Sequence, residues 1–299
     1  MRDPRRALGT SIELGHKGVL EATVLSVLRG VGAEVGWFAT HAVLYPLGAL
    51  AERTGARRSA APLRLDDLPP LRRGVIVGDL CGGTGSGSAP IMLVHGIADN
   101  RSVFTVLRRS LRRRGLGEVH TLNYSPFTSD VRTAAAALGR AVESLCGRTG
   151  YDRVHVIAHS LGGVIARYYV QRLGGDARVH TLVTLGAPHA GTRAARAVPL
   201  RLCRQLSPGS ELMAELAGPA PGCRTRFVAV WSDLDQVIRP PANARLEHPD
   251  LDCRDVPVRG IGHMSLPFAR EVAYAVALAL APDRQEADPP DDLAPTGSA

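Results

Sequence analysis

Ser160 stands in the run Ala158-His159-Ser160-Leu161-Gly162-Gly163, directly after the apolar stretch Val154-His155-Val156-Ile157. A short β-branched run passes through this serine into a second apolar stretch, Val164, Ile165, Ala166, Tyr168 and Tyr169. That is the pattern of a strand turning sharply into a helix with the serine at its tip. So tight a turn needs small residues two positions before and after the serine, and Ala158 and Gly162 meet the need. Gly163 lets the helix lie close to its strand. The hydroxyl then projects over a helix N-terminus, where developing negative charge is favoured. Nucleophilic attack by Ser160 Oγ is the chemistry on offer. A serine that merely caps a helix after a buried strand is the competing reading of this stretch alone.

Upstream, Pro90-Ile91-Met92-Leu93-Val94 ends in His95-Gly96-Ile97. Acyl transfer through a serine needs two backbone N–H donors on the substrate oxyanion. One belongs to the residue after the nucleophile, Leu161. The other comes from a loop after an early strand, here Ile97, with Gly96 giving the backbone freedom to turn the N–H inward. Downstream, Phe227–Trp231 reads as a strand that runs into Ser232-Asp233-Leu234-Asp235. A carboxylate just past a strand end is placed to orient a histidine, and Asp233 and Asp235 both qualify. Gly262-His263-Met264 follows a further strand and precedes a helix. Serine, aspartate and histidine therefore occur in that chain order, which distinguishes one class of triad from the others.

Taken together, the chain resembles the α/β-hydrolases of the small bacterial lipase and esterase kind. The resemblance covers about residues 74–280. It rests on five ordered stretches: Val94–Ile97, Ala158–Gly163, Thr184–Thr192, Ser232–Ile238 and Gly260–Leu266. It implies Ser160 as nucleophile, His263 as base and Asp235, rather than Asp233, as the carboxylate, with Ile97 and Leu161 at the oxyanion positions. No metal and no organic cofactor is implied. The substrate class it implies is carboxylic esters with hydrophobic acyl chains, including lipids. A lipid acyltransferase or a GPI-deacylase-like enzyme shares these motifs, and a membrane-associated scaffold with an inactive hydrolase fold is the non-enzymatic alternative. His95 and His159 read as structural, and His189 is given no chemical role.

The elements that must position these groups are legible as alternating patterns. Strands are expected near 74–77, 91–94, 119–123, 154–158, 181–185, 227–231 and 253–258. Helices are expected near 102–113, 128–146, 161–173, 210–216 and 266–280. Such alternation predicts a mostly parallel central sheet with helices on both faces and catalytic groups at the carboxyl ends of the strands. Residues 59–282 read as this domain, with a small helical, cap-like insertion at 189–226. The insertion is read as an acyl-binding wall, against the alternative of plain packing. Residues 1–58 read as an N-terminal helical arm, and 283–299 as a disordered tail rich in Asp, Pro and Ala.

The arm's apolar block, Val35–Ala51, is short for a bilayer span and contains Pro46. It is read as packing on the domain with weak membrane affinity, against the alternatives of lying on a membrane or crossing it. A cytoplasmic or membrane-associated location is expected over a secreted one.

The chain has 299 residues, 45% hydrophobic and 4% aromatic, so Leu, Val and Ala must fill the core. The net charge is +8, carried almost wholly by arginine, with Lys17 the single lysine. No nucleic-acid motif accompanies it, and a solvated basic surface is the expectation. The arginines of Arg108–Arg114 lie on a helix whose buried face is Val103, Phe104, Leu107 and Leu111. The five cysteines include no CxxC pair and no zinc spacing. A disulfide between Cys203 and Cys223 competes with buried free thiols.

Overall fold

The computed structural model describes residues 89–97, 101–122, 124, 130–197 and 201–281. The strand expected at 74–77, the N-terminal arm, Cys81 and the acidic tail lie outside these residues. Six strands form the sheet: β1 (Ile91–Val94), β2 (Val119–Leu122), β3 (Val154–His159), β4 (Val179–Leu185), β5 (Arg226–Ser232) and β6 (Asp252–Val258). Their order is β2-β1-β3-β4-β5-β6, and every pair is parallel. The connecting helices are α1 (Thr105–Arg113), α2 (Val131–Thr149), α3 (Leu161–Arg172), α4 (Arg201–Gln205), α5 (Glu211–Ala217) and α6 (Arg270–Leu280).

A parallel sheet needs cover on both faces, which explains why β3 and β4 are almost wholly buried runs of β-branched residues. Successive side chains alternate between faces. Val154, Val156 and Ala158 enter one core with α2 and α3. Ile157 enters the other, with Val183, Val230 and residues of α1 and α6. The expected buried face of the arginine-rich helix is present, since Val103, Phe104, Leu107 and Leu111 are at most 1% exposed.

Several boundaries differ from the sequence expectation, among them α2, expected at 128–146 and found at Val131–Thr149, and two of them have a visible cause. The pattern near Leu266 predicted one continuous helix, but a 3-10 turn, His263–Phe268, precedes α6. Pro267 lacks an N–H and disfavours helical geometry in the residue before it, so the chain tightens before the α-helix starts. β4 begins at Val179 rather than Thr181 because it continues pairing beyond an irregularity at Val154/His155.

The insertion is firmly packed. Leu202, Leu206, Leu212, Met213 and Leu216 are buried in the same core as α2 and α3. Arg167, buried within α3, donates through its guanidinium to Gln171 Oε1 at 2.6 Å, His189 O at 3.0 Å and Leu216 O at 2.8 Å. Burial pulls the pKa of this guanidinium down, to about 10, leaving it charged at neutral pH. Gln171 also donates to Leu216 O, and Arg172 to Gly218 O and Pro219 O. On the other side, Gln205 bridges Asp130 and the Val131 amide, and Arg132 pairs with Glu215. Cys203 and Cys223 are unpaired, as are Cys146 and Cys253, so the free-thiol expectation describes these four.

Candidate active site

The chain passes from β1 to β2 on one side, then crosses back to place β3 on β1's other side. The ends of β1 and β3 therefore flank a topological switch point, where the connections leave in opposite directions and a crevice opens. His95-Gly96-Ile97 leaves β1 here, and Ser160 leaves β3 beside it.

Ser160 has φ 54, the only non-glycine residue with a positive φ among those described. Such a conformation costs an ordinary residue about 1–2 kcal/mol, and its neighbours hold it in place. The Ser160 amide donates to Leu185 O at 2.9 Å, and Gly163 N donates back to Ser160 O at 2.9 Å. A Cβ on Gly162 would lie 2.5 Å from both Val94 O and His95 O, and one on Gly163 would lie 2.4 Å from Ala187 Cβ. Both glycines are needed for α3 to begin against the end of β1 and the loop after β4.

His263 Nδ1 lies 2.7 Å from Asp235 Oδ2, and its Nε2 lies 2.9 Å from Ser160 Oγ. A carboxylate can only accept, so the proton sits on Nδ1 and the Nε2 lone pair faces the serine hydroxyl. Asp235 is 1% exposed. Its second oxygen, Oδ1, accepts from Val237 N at 2.9 Å and Ile238 N at 2.8 Å, so both oxygens are satisfied. Asp233 is not part of this chain of contacts. Its Oδ1 accepts from Gly260 N at 2.9 Å and ties the loop after β5 to the end of β6. Ser160, Asp235 and His263 leave the carboxyl ends of β3, β5 and β6, and Ile97 that of β1.

A parallel sheet with helices on both faces has counterparts among solved structures. The mature form of a Bacillus licheniformis lipase matches with a TM-score of 0.56 at 16% identity, over 67% of this chain and 95% of the lipase. Aspergillus fumigatus lipase B matches with a TM-score of 0.55 at 16% identity, over 67% of this chain and 54% of that one.

The chain has the α/β-hydrolase fold.

The model of the palmitoyl protein thioesterase family matches residues 90–230. Two triacylglycerol lipases, from Pseudarthrobacter phenanthrenivorans and Burkholderia plantarii, are each 30% identical over 111 residues. The match covers 34% of this chain and 34% and 30% of those relatives, so the chain spans about a third of their length. The α/β-hydrolase resemblance of lipase and esterase type thus stands on sequence and on fold.

Three residues to which sequence reasoning gave no part in the chemistry shape the site. Gly186, directly after β4, has φ 57. A Cβ there would meet Leu266 Cδ1 at 2.7 Å, Asp235 Oδ2 at 3.1 Å and His263 Nδ1 at 3.2 Å. Its signals were a glycine closing an apolar strand run and its place within the Thr184–Thr192 stretch. Tyr124, just past β2, stacks on the His95 ring with centroids 4.4 Å apart and planes at 7°. Its hydroxyl reaches His95 O at 2.9 Å and Gly96 O at 3.0 Å.

The third is His159, read from sequence as structural. Its Nε2 donates to the backbone oxygen of His263 at 3.1 Å, and the two rings lie 4.9 Å apart. It links the strand that leads into Ser160 to the segment that carries His263. His189 is buried, with Nε2 2.9 Å from Thr184 Oγ1. Burial, and then the nearby Arg167 charge, drive its pKa well down, so it is a neutral packing group.

Among the described residues no cluster of His, Cys, Asp or Glu is arranged to hold a metal ion, and no helix is long and apolar enough to cross a membrane.

Proposed function

We propose that the chain hydrolyses carboxylic esters with hydrophobic acyl groups through an acyl-enzyme on Ser160. His263 Nε2 takes the hydroxyl proton as Ser160 Oγ attacks the ester carbonyl. Asp235 holds the imidazole in the required tautomer and stabilises the imidazolium that forms. The tetrahedral oxyanion is received by the Leu161 N–H, one of the first-turn amides that a helix leaves without an internal partner. The Ile97 N–H is the second donor. His263 then protonates the leaving alkoxide, water attacks the acyl-enzyme, and the acid departs. What supports this reading above all is the continuous contact from Asp235 through His263 to Ser160, at 2.7 and 2.9 Å. It forms in a site where Ser160 is 8% exposed and His263 2%. Poor screening there strengthens each electrostatic contribution.

A second reading, hydrolysis of acyl thioesters, is favoured by the family model that matches residues 90–230. The same residues would act in the same order, with a thiolate leaving instead of an alkoxide. The experiment offers one acyl chain to the purified protein as an oxygen ester and as a thioester, across a series of chain lengths. A fluorophosphonate probe runs alongside on wild type and Ser160→Ala. Oxygen-ester turnover above thioester turnover, with Ser160-dependent labelling, is the expected result. The reverse preference selects the thioesterase reading. Absence of both turnover and labelling refutes both readings and favours an inactive scaffold.

A further inference from the structure

The mechanism asks two amides to be aimed at one point, and the two are held very differently. Leu161 N–H is fixed by the start of α3. Ile97 follows a short strand and a glycine, its side chain is 37% exposed, and neither supplies a helix to hold its peptide plane. Some other group must set that plane.

A trans peptide is planar, with its C=O and N–H pointing in opposite directions. The carbonyl of Gly96 and the N–H of Ile97 belong to one such plane, so whatever captures the Gly96 oxygen fixes the direction of the Ile97 N–H. The Tyr124 hydroxyl lies 3.0 Å from that oxygen and 2.9 Å from the preceding His95 oxygen, and His95 Nδ1 also lies 3.0 Å from the Gly96 oxygen, so the hydroxyl is one of two side-chain groups upon it. One phenolic proton is shared between two consecutive carbonyls. The Tyr124 ring, stacked on His95 at 4.4 Å, holds the hydroxyl in place. On its other flank this segment is confined by α3, where a Gly162 Cβ would come within 2.5 Å of His95 O.

We propose that Tyr124 is a positioning residue of the oxyanion site. Its hydroxyl draws the Gly96 carbonyl to one side and so presents the Ile97 N–H to the other. Tyr124 itself touches neither substrate nor Ser160 in this scheme. The inference rests on the acyl-transfer reading of Ser160, Leu161 and Ile97.

Tyr124→Phe tests it, because the ring and its stack are retained and only the donor is lost. Removing an oxyanion donor outright lowers turnover about 100- to 1,000-fold, so a variant that keeps His95 Nδ1 on the Gly96 carbonyl but loses the hydroxyl should lower kcat by roughly 10-fold. KM should stay within about twofold, since ground-state binding does not use the developed oxyanion. The acidic limb of the pH–rate profile should not move, because His263 and Asp235 are untouched. An alkyl boronic acid, which forms a tetrahedral adduct on the serine, should bind more weakly by the same factor as kcat/KM. The Ile97 amide resonance should shift in labelled protein while that of Leu161 stays.

Wild-type kcat in Tyr124→Phe overturns the inference. So does a loss confined to KM, which would place Tyr124 against substrate. A Phe variant that does not fold overturns the claim that the hydroxyl acts locally. Ser160→Ala separates this failure from failure of the underlying reading. An inactive Ser160→Ala beside a fully active Tyr124→Phe rejects the positioning role alone. Activity retained in Ser160→Ala rejects the acyl-transfer reading and this inference with it.

Discussion

Gly186→Ala puts a methyl group against the hydrogen bond on which the proposed chemistry depends. Its effect can be worked from the contacts. At φ 57 an alanine is strained by about 1–2 kcal/mol before any contact is counted. Its Cβ would stand 2.7 Å from Leu266 Cδ1, against ordinary carbon contacts of about 3.5–4.0 Å. The Leu266 methyl must therefore retreat by about 1 Å, which a rotamer change can supply at a further cost of about 1 kcal/mol. Asp235 Oδ2 and His263 Nδ1, at 3.1 and 3.2 Å, must each give by a few tenths of an ångström. They sit 2.7 Å from each other, so the methyl pushes on both ends of one hydrogen bond.

Losing about 2–3 kcal/mol lowers Tm by roughly 5–10 °C for a domain of this size. A 1 Å misplacement of catalytic groups costs about 100-fold in rate, so the smaller shift here should lower kcat roughly 10- to 100-fold. The assay is kcat and KM on a soluble p-nitrophenyl ester, well below both melting temperatures. Gly150→Ala is the control. It has φ 75 and nothing within 4 Å, so it should lose about 1 kcal/mol of stability and no activity. A Gly186→Ala enzyme with wild-type kcat would refute the argument, as would a Gly150→Ala enzyme with the same loss of kcat.

Other expectations follow from single contacts. Asp235→Asn should lower kcat by about four orders of magnitude by favouring the wrong tautomer. Asp233→Asn, which touches only the Gly260 amide, should lower it by less than about threefold, and side-by-side kinetics would expose a reversed ranking. His159→Leu leaves the His263 carbonyl without its donor and should cost about 1–3 kcal/mol in urea unfolding. His159→Gln, which restores a donor, should recover most of that loss, and equal losses in both variants would show the bond to be idle.

The pKa of His155 is lowered from 6.5 to about 4, first by burial and then by the His180, Arg226 and Arg153 charges. The unfolded chain binds the proton first, so this contribution to stability is complete above pH 6.5 and is lost as pH falls toward about 4. His155→Gln should therefore flatten the stability-against-pH curve in that window, measured by denaturant midpoints. An unchanged slope would count against it.

What could be read from the chain was whatever is enforced locally. A strand that turns into a helix within one residue demands small neighbours, and Ala158, Gly162 and Gly163 advertise it. β3 and β4 are buried on both faces, so their apolar runs were plain. The choice between Asp233 and Asp235 was not fixed by composition, since both follow β5. It turns on which carboxylate is caught by the Val237 and Ile238 amides and so faces His263. The roles of Tyr124, His159 and Gly186 were not legible because each acts across the fold. The Tyr124 contact to Gly96 spans 28 residues, and that of His159 to His263 spans 104. No period or spacing encodes such meetings. Pro267 did carry a local signal of the 3-10 turn, which the apolar pattern around it masked.

The insertion's attachment bears on how a substrate would enter. If the segment ending in α5 swung outward, Arg167 would lose its acceptor at Leu216 while keeping its charge inside the protein. Gln171 and Arg172 would release the same stretch together with it. Hydrogen bonds to a charged group contribute about 1.5–3 kcal/mol each, so breaking the two arginine contacts alone costs roughly 3–6 kcal/mol. At equilibrium that leaves under about 1% of molecules with the segment lifted. This segment is therefore a fixed part of the domain and not a swinging lid. Progress curves at a lipid–water interface should show no lag arising from its movement.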